Sequence, residues 1–333
     1  MQLACEILRE TMASGNRKTI VGLGEILWDL FPEGRQLGGA PANFAYCASL
    51  LGDAGIAASR VGKDALGEEA TGRLRNLGLE TGFLQRDAAH ATGTVKVSVD
   101  ARGEPSFQIT ENVAWDFLAW TPEWQELAER ADAVCFGSLA QRSTESRETI
   151  RRFVAAMRPG TARIFDVNLR QKFYSAEILD ESLRAADIVK LNHEELPRVT
   201  AVLGVANTAG EKDEESLARR LLQAYRLKLV CVTRGSGGSL LVSSDETNEH
   251  SGFRVKVVDT VGSGDAFTAA LAHHWLRGSP LAAMNEAANR MGAWVASKAG
   301  ATPAPDGEVL ARVRAPGSKS RGDESDADLL LLL

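Results

Sequence analysis

The chain has 333 residues, 44% of them hydrophobic and 25% charged, close to the average for a soluble globular protein. Its 38 basic and 44 acidic residues leave a net charge of −6 with no long basic run, which argues against nucleic acid as a partner. No stretch of about 18 apolar residues exists to span a membrane, and Glu6, Arg9 and Glu10 soon follow the short apolar start, unlike a secretory leader, so a cytoplasmic protein with no membrane partner is expected.

Residues 1–18 show no clear periodicity and read as an extension. From Thr19 the pattern becomes orderly. Thr19–Gly24 (TIVGLG) is a short apolar run ending in glycine, as in a buried parallel strand. Ala42–Leu51 reads as a helix, Ala54–Val61 as a strand and Ala65–Leu77 as a helix. Further strands are expected near Ala133–Gly137, Arg163–Val167, Asp187–Leu191 and Lys228–Thr233, separated by helices at Thr144–Met157, Ala176–Ala185 and Glu214–Tyr225. Strands alternating with helices of that length predict an α/β fold with a central, mostly parallel sheet flanked by helices.

Two segments break the rhythm. Ile26–Phe31 follows the first strand almost without a turn, and Thr94–Val99 alternates, with Val95, Val97 and Val99 on one face. Phe107 and Ile109 continue the alternation after a turn at Asp100–Pro105. Period-2 alternation belongs to a sheet with one packed face, so these segments (about 25–37 and 92–112) predict a small separate β-sheet acting as a lid. Its apolar face would close over a ligand or bury against a second copy in a homodimer. An ordinary surface hairpin is the simpler alternative. The folded unit thus runs over 19–315, and 316–333 (PGSKSRGDESDADLLLLL) reads as a disordered tail.

Cys5, Cys47, Cys135 and Cys231 lie far apart without a CxxC pair, three of them in apolar runs, so reduced, buried thiols are expected rather than disulfides or a metal site. His273 and His274 are adjacent and cannot face one ligand from a helix.

The most informative segment is Asp259–Phe267 (DTVGSGDAF), where an apolar β-like stretch, Phe253–Val258, leads into glycines, an aspartate and an apolar helical pattern. Gly262 and Gly264 let the backbone turn and aim consecutive N–H groups at an anion from the start of a helix. Asp265 inside that cradle suits phosphoryl transfer, as a base for a hydroxyl proton; its alternative is a helix cap. Gly38–Asn43 (GGAPAN) permits close backbone approach to a ligand, and the carboxylate of Asp29 just upstream would accept hydrogen bonds from paired sugar hydroxyls or simply sit solvated on an edge strand.

In RIFDVNLR, Asp166, Asn168 and Arg170 share one face if the run is extended. In LNHEEL, Asn192 and Glu195 share a face at a helix start, where Glu195 would hold Mg²⁺ through water beside nucleotide phosphates, or Asn192 would merely cap. VTRGSGG is a strand and a glycine-rich turn that wraps a nucleotide or turns a hairpin. No GxxxxGK[ST] occurs, and Gly22-Leu23-Gly24 is followed by Leu27 where a dinucleotide fingerprint needs its third glycine, which removes a P-loop enzyme and disfavours a dehydrogenase.

In this order, the segments resemble the ribokinase-like (PfkB) family of carbohydrate kinases from about Thr19 to Pro305. The family's two hallmarks look like GGAPANFAYCASLLG at 38–52 and DTVGSGDAFTAAL at 259–271; VGKDALGEEATGRLRNLG, FDVNLR, VKLNHEEL and VTRGSGGSL look closer to its fructokinase branch. The resemblance implies a large α/β domain with a lid, ATP as donor, Mg²⁺ as companion and a sugar hydroxyl as acceptor. It implies Asp265 as catalytic base and Gly262, Ser263 and Gly264 as anion hole. Asp29, Gly39 and Asn43 match sugar-binding positions, and Asn168 and Arg170 a segment near the reacting phosphate. Asn192 and Glu195 match the family's Asn-x-x-Glu, Thr233, Gly235 and Gly238 its nucleotide loop, and Asn289 a position near adenine. Many relatives bind a monovalent cation, K⁺ for example, and Asp259, with carbonyls near Val261 and Gly300, is the equivalent place. Ser263 departs from the usual alanine and adds a hydroxyl beside the anion hole.

The expected function is ATP-dependent phosphorylation of a primary hydroxyl of a small, fructose-like sugar. A 2-keto-3-deoxygluconate or other sugar-acid kinase is the alternative, favoured if Arg170 or Arg142 faces the acceptor. A non-catalytic sugar-binding regulator on a kinase fold is the rival of another class.

Overall fold

The computed structural model describes residues 17–32, 34–99, 105–205 and 213–316, with only the backbone at 98–99 and 105–107. Cys5, the tail from 317 on and all but the last two residues of the N-terminal extension lie outside the described residues, as does most of the turn expected at Asp100–Pro105.

The strands are β1 (Thr19–Leu23), β2 (Leu27–Phe31), β3 (Gly34–Gly38), β4 (Ala54–Gly62), β5 (Leu84–Asp87), β6 (Gly93–Val99), β7 (Pro105–Ile109), β8 (Ala133–Gly137), β9 (Ala162–Asp166), β10 (Ile188–Asn192), β11 (Leu229–Thr233), β12 (Ser239–Val242) and β13 (Thr247–His250). They form a 9-stranded sheet of order β13-β12-β11-β10-β9-β8-β1-β4-β5 and a 4-stranded sheet of order β3-β2-β6-β7. In the large sheet all pairings from β11 to β5 are parallel, and β12 and β13 extend it as an antiparallel edge.

Successive residues of the parallel strands feed opposite faces, as the strand period requires. Val21, Val134, Phe136, Phe165, Val189 and Val230 join Trp124, Phe153, Leu179 and Leu221 from helices on one side. Ile20, Ala133, Cys135, Ile164, Ile188 and Leu229 join Phe44, Phe267, Leu271 and Met291 on the other. Each buried Val, Leu, Ile, Phe or Met side chain among them contributes roughly 1.5–3 kcal/mol. Cys47, Cys135 and Cys231 are buried, unbridged thiols. No helix among the described residues is long and apolar enough to cross a membrane.

The chain lays β1 between β4 and β8, building first to one side and then to the other. Such a switch of direction opens a crevice at the carboxyl ends of the strands, where open α/β sheets bind ligands.

The small sheet stands apart from the large one, as the alternation predicts. The alternation missed β3, which pairs antiparallel with β2, because Gly34–Gly38 carries few apolar residues. Val95, Val97 and Ile109 pack into the chain's own core with Leu27 and Trp115. On the opposite face, the Trp28 indole is fully buried and donates to the Leu66 carbonyl at 3.0 Å. Those described apolar side chains are thus buried within the chain itself.

Phe253–Val258 is not a strand. It runs past the antiparallel edge without a ladder partner, with Val255, Val257 and Val258 exposed, and is anchored where the Val258 and Asp259 amides donate to the Ala296 carbonyl.

Candidate active site

The helix Ser263–Trp275 begins at Gly262, whose φ of 76° lies in the left-handed region that favours glycine. A Cβ on Gly262 would also lie 2.4 Å from the Ala301 Cβ, so this turn excludes any side chain. The Ser263 hydroxyl donates back to the Thr260 carbonyl at 2.8 Å instead of facing the anion hole.

No side chain caps this helix. The capping alternative for Asp265 therefore fails. Its carboxylate instead accepts a 2.8 Å hydrogen bond from the Asn43 amide, on the helix Ala40–Leu50. Burial, and then the nearby Asp166 carboxylate, push the Asp265 carboxyl up to about 6, against the Asn43 bond and the Lys190 and Arg170 cations. Asp265 remains mostly ionised at pH 7, though less readily than a helix dipole alone would make it.

Asp265 faces a cleft of about 360 Å³, counting its open mouth, at the carboxyl ends of β1, β8 and β9. Glu25, Pro41, Ser138, Asp166 and Asn168 share its lining. Glu25 is 5% exposed, and burial, with Asp265 adding to it, pushes its carboxyl up to about 7. Among the described residues no side chain hydrogen-bonds it. Sequence reasoning missed it, although an acid inside the apolar run TIVGLGEILW is a signal of a buried charge.

Gly39 takes φ 116°, and a Cβ there would lie 2.5 Å from the Glu25 carbonyl, so the start of the Asn43 helix is pressed against the strand end. Gly38 gives room to Asp29, whose carboxylate oxygen would lie 2.5 Å from an added Cβ. Burial raises Asp29 to about 6 while Arg170 lowers it. The Arg170 cation favours the ionised form of Asp29, Glu25 and Asp265 alike, against the burial that raises them.

The extended reading of RIFDVNLR holds only to Asp166, where β9 ends. Asn168 takes φ 41°, so the chain turns and the exposed Arg170 leaves the strand face. Asp166 and Asn168 still line the cleft together. Arg142 is not free for an acceptor carboxylate: Nε and Nη2 each donate to Asp116 at 2.8 Å, and the guanidinium lies 3.9 Å from the Trp115 ring centre.

Beside the cleft, the Asn192 side chain accepts from the Glu194 and Glu195 amides at 2.9 Å, while Glu195 Oε2 accepts from the Asn192 amide at 2.9 Å. Asn192 thus closes the turn that leads into the helix Glu195–Val202, without being its N-cap, and it also locks Glu195. Glu195 Oε1 accepts from the Leu169 amide at 2.7 Å, which fastens the Asn168–Arg170 loop to β10. Thr233 lies directly across from Asn192 in the β10–β11 register.

VTRGSGG turns the β11–β12 hairpin. Gly235 (φ 57°) stands in open space, whereas a Cβ on Gly238 would lie 1.9 Å from the His250 carbonyl oxygen. Asn289 is buried, its amide donating to Ser239 at 2.7 Å and to Asn285 at 2.8 Å. Asp259 accepts from the Val261 and Gly300 amides, both at 3.0 Å, and so straps together the loops flanking Gly262. No group of three or more acidic, histidine or cysteine side chains able to hold a metal occurs among the described residues. An Mg²⁺ ion here would keep mostly water and phosphate ligands, which suits a single outer carboxylate such as Glu195.

Residues 33–306 match the pfkB family of carbohydrate kinases. The chain is 30% identical over 314 residues to an uncharacterised sugar kinase of Pyrococcus horikoshii, covering 89% of this chain and 95% of that one. It is 30% identical over 328 residues to fructokinase-1 of Zea mays, covering 90% and 98%. The crystal structure of a Vibrio cholerae fructokinase with fructose, ADP and calcium superposes with a TM-score of 0.71 at 25% identity, covering 89% and 98%. The protein belongs to the pfkB family of carbohydrate kinases and is a sugar kinase.

Proposed function

We propose that this kinase transfers the γ-phosphoryl group of ATP to a primary hydroxyl of a neutral, fructose-like hexose, with Asp265 as base. The observation that carries this reading is the Asp265 carboxylate itself. It stands in the first turn of an uncapped helix, turned into the cleft and held by Asn43. Asp265 takes the hydroxyl proton, the freed oxygen attacks the γ-phosphorus, and the bond to the bridging oxygen breaks to release ADP. The backbone amides of Gly262, Ser263 and Gly264 meet the charge of the moving group, that of Ser263 by leaving the Thr260 carbonyl, to which it donates at 3.2 Å. Asn192, Glu195, Thr233, Gly235, Gly238 and Asn289 line the nucleotide side. Glu195 would hold Mg²⁺ through water, and the ion would supply charge neutralisation for the phosphates. Asp29, Gly39 and Asn43 hold the sugar, Asn168 and Arg170 lie toward the reacting phosphate, the small sheet acts as a lid, and a monovalent cation sits beside Asp259.

A neutral acceptor is favoured over a sugar acid because Arg142 is already paired with Asp116, while the Glu25 carboxyl lines the cleft and that of Asp29 packs beside Gly38. ADP release with Mg-ATP across hexoses, ketoses, pentoses, sugar acids and nucleosides tests the assignment. Turnover fastest with a ketohexose is expected. Faster turnover with 2-keto-3-deoxygluconate would overturn the neutral-sugar reading, and none with any acceptor would favour the regulator.

A further inference from the structure

A buried ion pair lies directly under this site. Asp166, at the end of β9, and Lys190, its register neighbour on β10, are 4% and 7% exposed. Lys190 Nζ donates to both Asp166 carboxylate oxygens, at 3.0 and 3.2 Å. A Cβ built on Gly264 would lie 3.0 Å from the same Nζ, so the ammonium rests against the backbone at the middle of the anion hole. The Thr268 hydroxyl, one helical turn beyond Gly264, is 3.1 Å from Asp166 and 2.9 Å from the Gly264 carbonyl, with a single proton to give.

Two charges inside a parallel sheet are not needed for its stability, because well-packed apolar residues serve as well or better there. Their place under a reacting centre calls for a functional reason. We propose that the Asp166–Lys190 pair is the positioning element of this site, setting the charge that Asp265 meets and supporting the Gly264 backbone of the anion hole. Neither residue touches the transferred group; both act through Asp265 and Gly264.

The groups facing Asp265 come from every element around it. Asn43 and Cys47 lie on the helix Ala40–Leu50, Glu25 after β1, Cys135 on β8, Asp166 on β9, Arg170 beyond it and Lys190 on β10. Of these, Asp166 is the carboxylate that most raises Asp265, and Lys190 is a cation that lowers it. Burial disfavours the Lys190 charge, but Asp166, Glu195 and Asp265 outweigh it and hold the ammonium protonated.

The inference rests on Asp265 being the base, and its test separates the two. The acid limb of kcat/KM is measured for the full chain, Asp166→Asn, Lys190→Met and the double variant, each with a melting curve, and Asp265→Asn is measured alongside. Asp166→Asn removes a negative neighbour and should move the limb down by about one pH unit; Lys190→Met should move it up by about as much. The double variant should fall back near the parent.

Shifts of opposite sign are the signature that a merely structural pair would not produce. If Lys190→Met does not fold, Asp166→Asn and the double variant decide alone. Folded variants with an unmoved limb, beside an inactive Asp265→Asn, overturn the role of the pair. An Asp265→Asn variant that still turns over overturns instead the reading of Asp265.

Discussion

Asn43 and Asp265, 222 positions apart, meet through a 2.8 Å hydrogen bond that joins the helix Ala40–Leu50 to the helix Ser263–Trp275. The amide can only donate through this nitrogen, so it favours the ionised carboxylate. Asn43→Asp would set a second carboxyl at that distance, and the two would share one proton. We expect kcat/KM at pH 7 to fall about tenfold or more, with the loss partly recovered at higher pH. A pH-independent loss would mean that Asn43 acts only on the sugar.

The parent enzyme should show its own acid limb. With Asp265 as the proposed base, its ionised form would be the active one, and its carboxyl is raised to about 6. Activity should therefore rise with pH through about 6 and level off above it. Glu25, near 7, and Asp29, near 6, titrate in the same window, so the limb belongs to the group of carboxyls. A profile flat from pH 5 to 8 would contradict this.

Glu25 makes a separate prediction about stability. Its folded value of about 7 stands above the ordinary 4.5, so the folded chain keeps a proton that the unfolded chain has released. Stability is then lost as pH rises from 4.5 to 7, by roughly 3 kcal/mol at most. Glu25→Gln keeps the shape without the charge, so its Tm should gain on the parent between pH 5 and pH 8. A Tm difference that does not change with pH would place that carboxyl at an ordinary value.

Asp259 ties Val261 to Gly300 beside Gly262, and an ion bound there would stiffen the same turn. Exchanging Na⁺ for K⁺ in the assay should raise kcat. Equal rates in both salts would remove the ion from the mechanism.

Much of this was legible in the sequence, for physical reasons. Apolar runs such as TIVGLG mark strands buried on both faces, and the alternation at Val95 and Val97 separates the small sheet from them. The GSGD turn identifies itself because only glycine meets both the φ and the contact at 262. Other features depend on tertiary contacts that no local pattern carries. Phe253–Val258 has the composition of a strand but finds no partner, and Asn168 bends a run that reads as extended. Gly238 reads as a nucleotide-loop glycine, but the reason glycine is required there, the close His250 carbonyl, is a tertiary contact. Lys190, a lone charge in the apolar strand IVKLN, shows its purpose only once Asp166 lies beside it.

The most direct measurement is kcat for Asp265→Asn beside its melting temperature and ATP affinity. General-base assistance is typically worth about 10²–10⁴ in rate, so kcat should fall by that much. Because the side chain caps nothing and Asn keeps its shape, Tm and nucleotide binding should stay near the parent. A variant that melts normally and turns over within a few-fold of the parent would contradict the account.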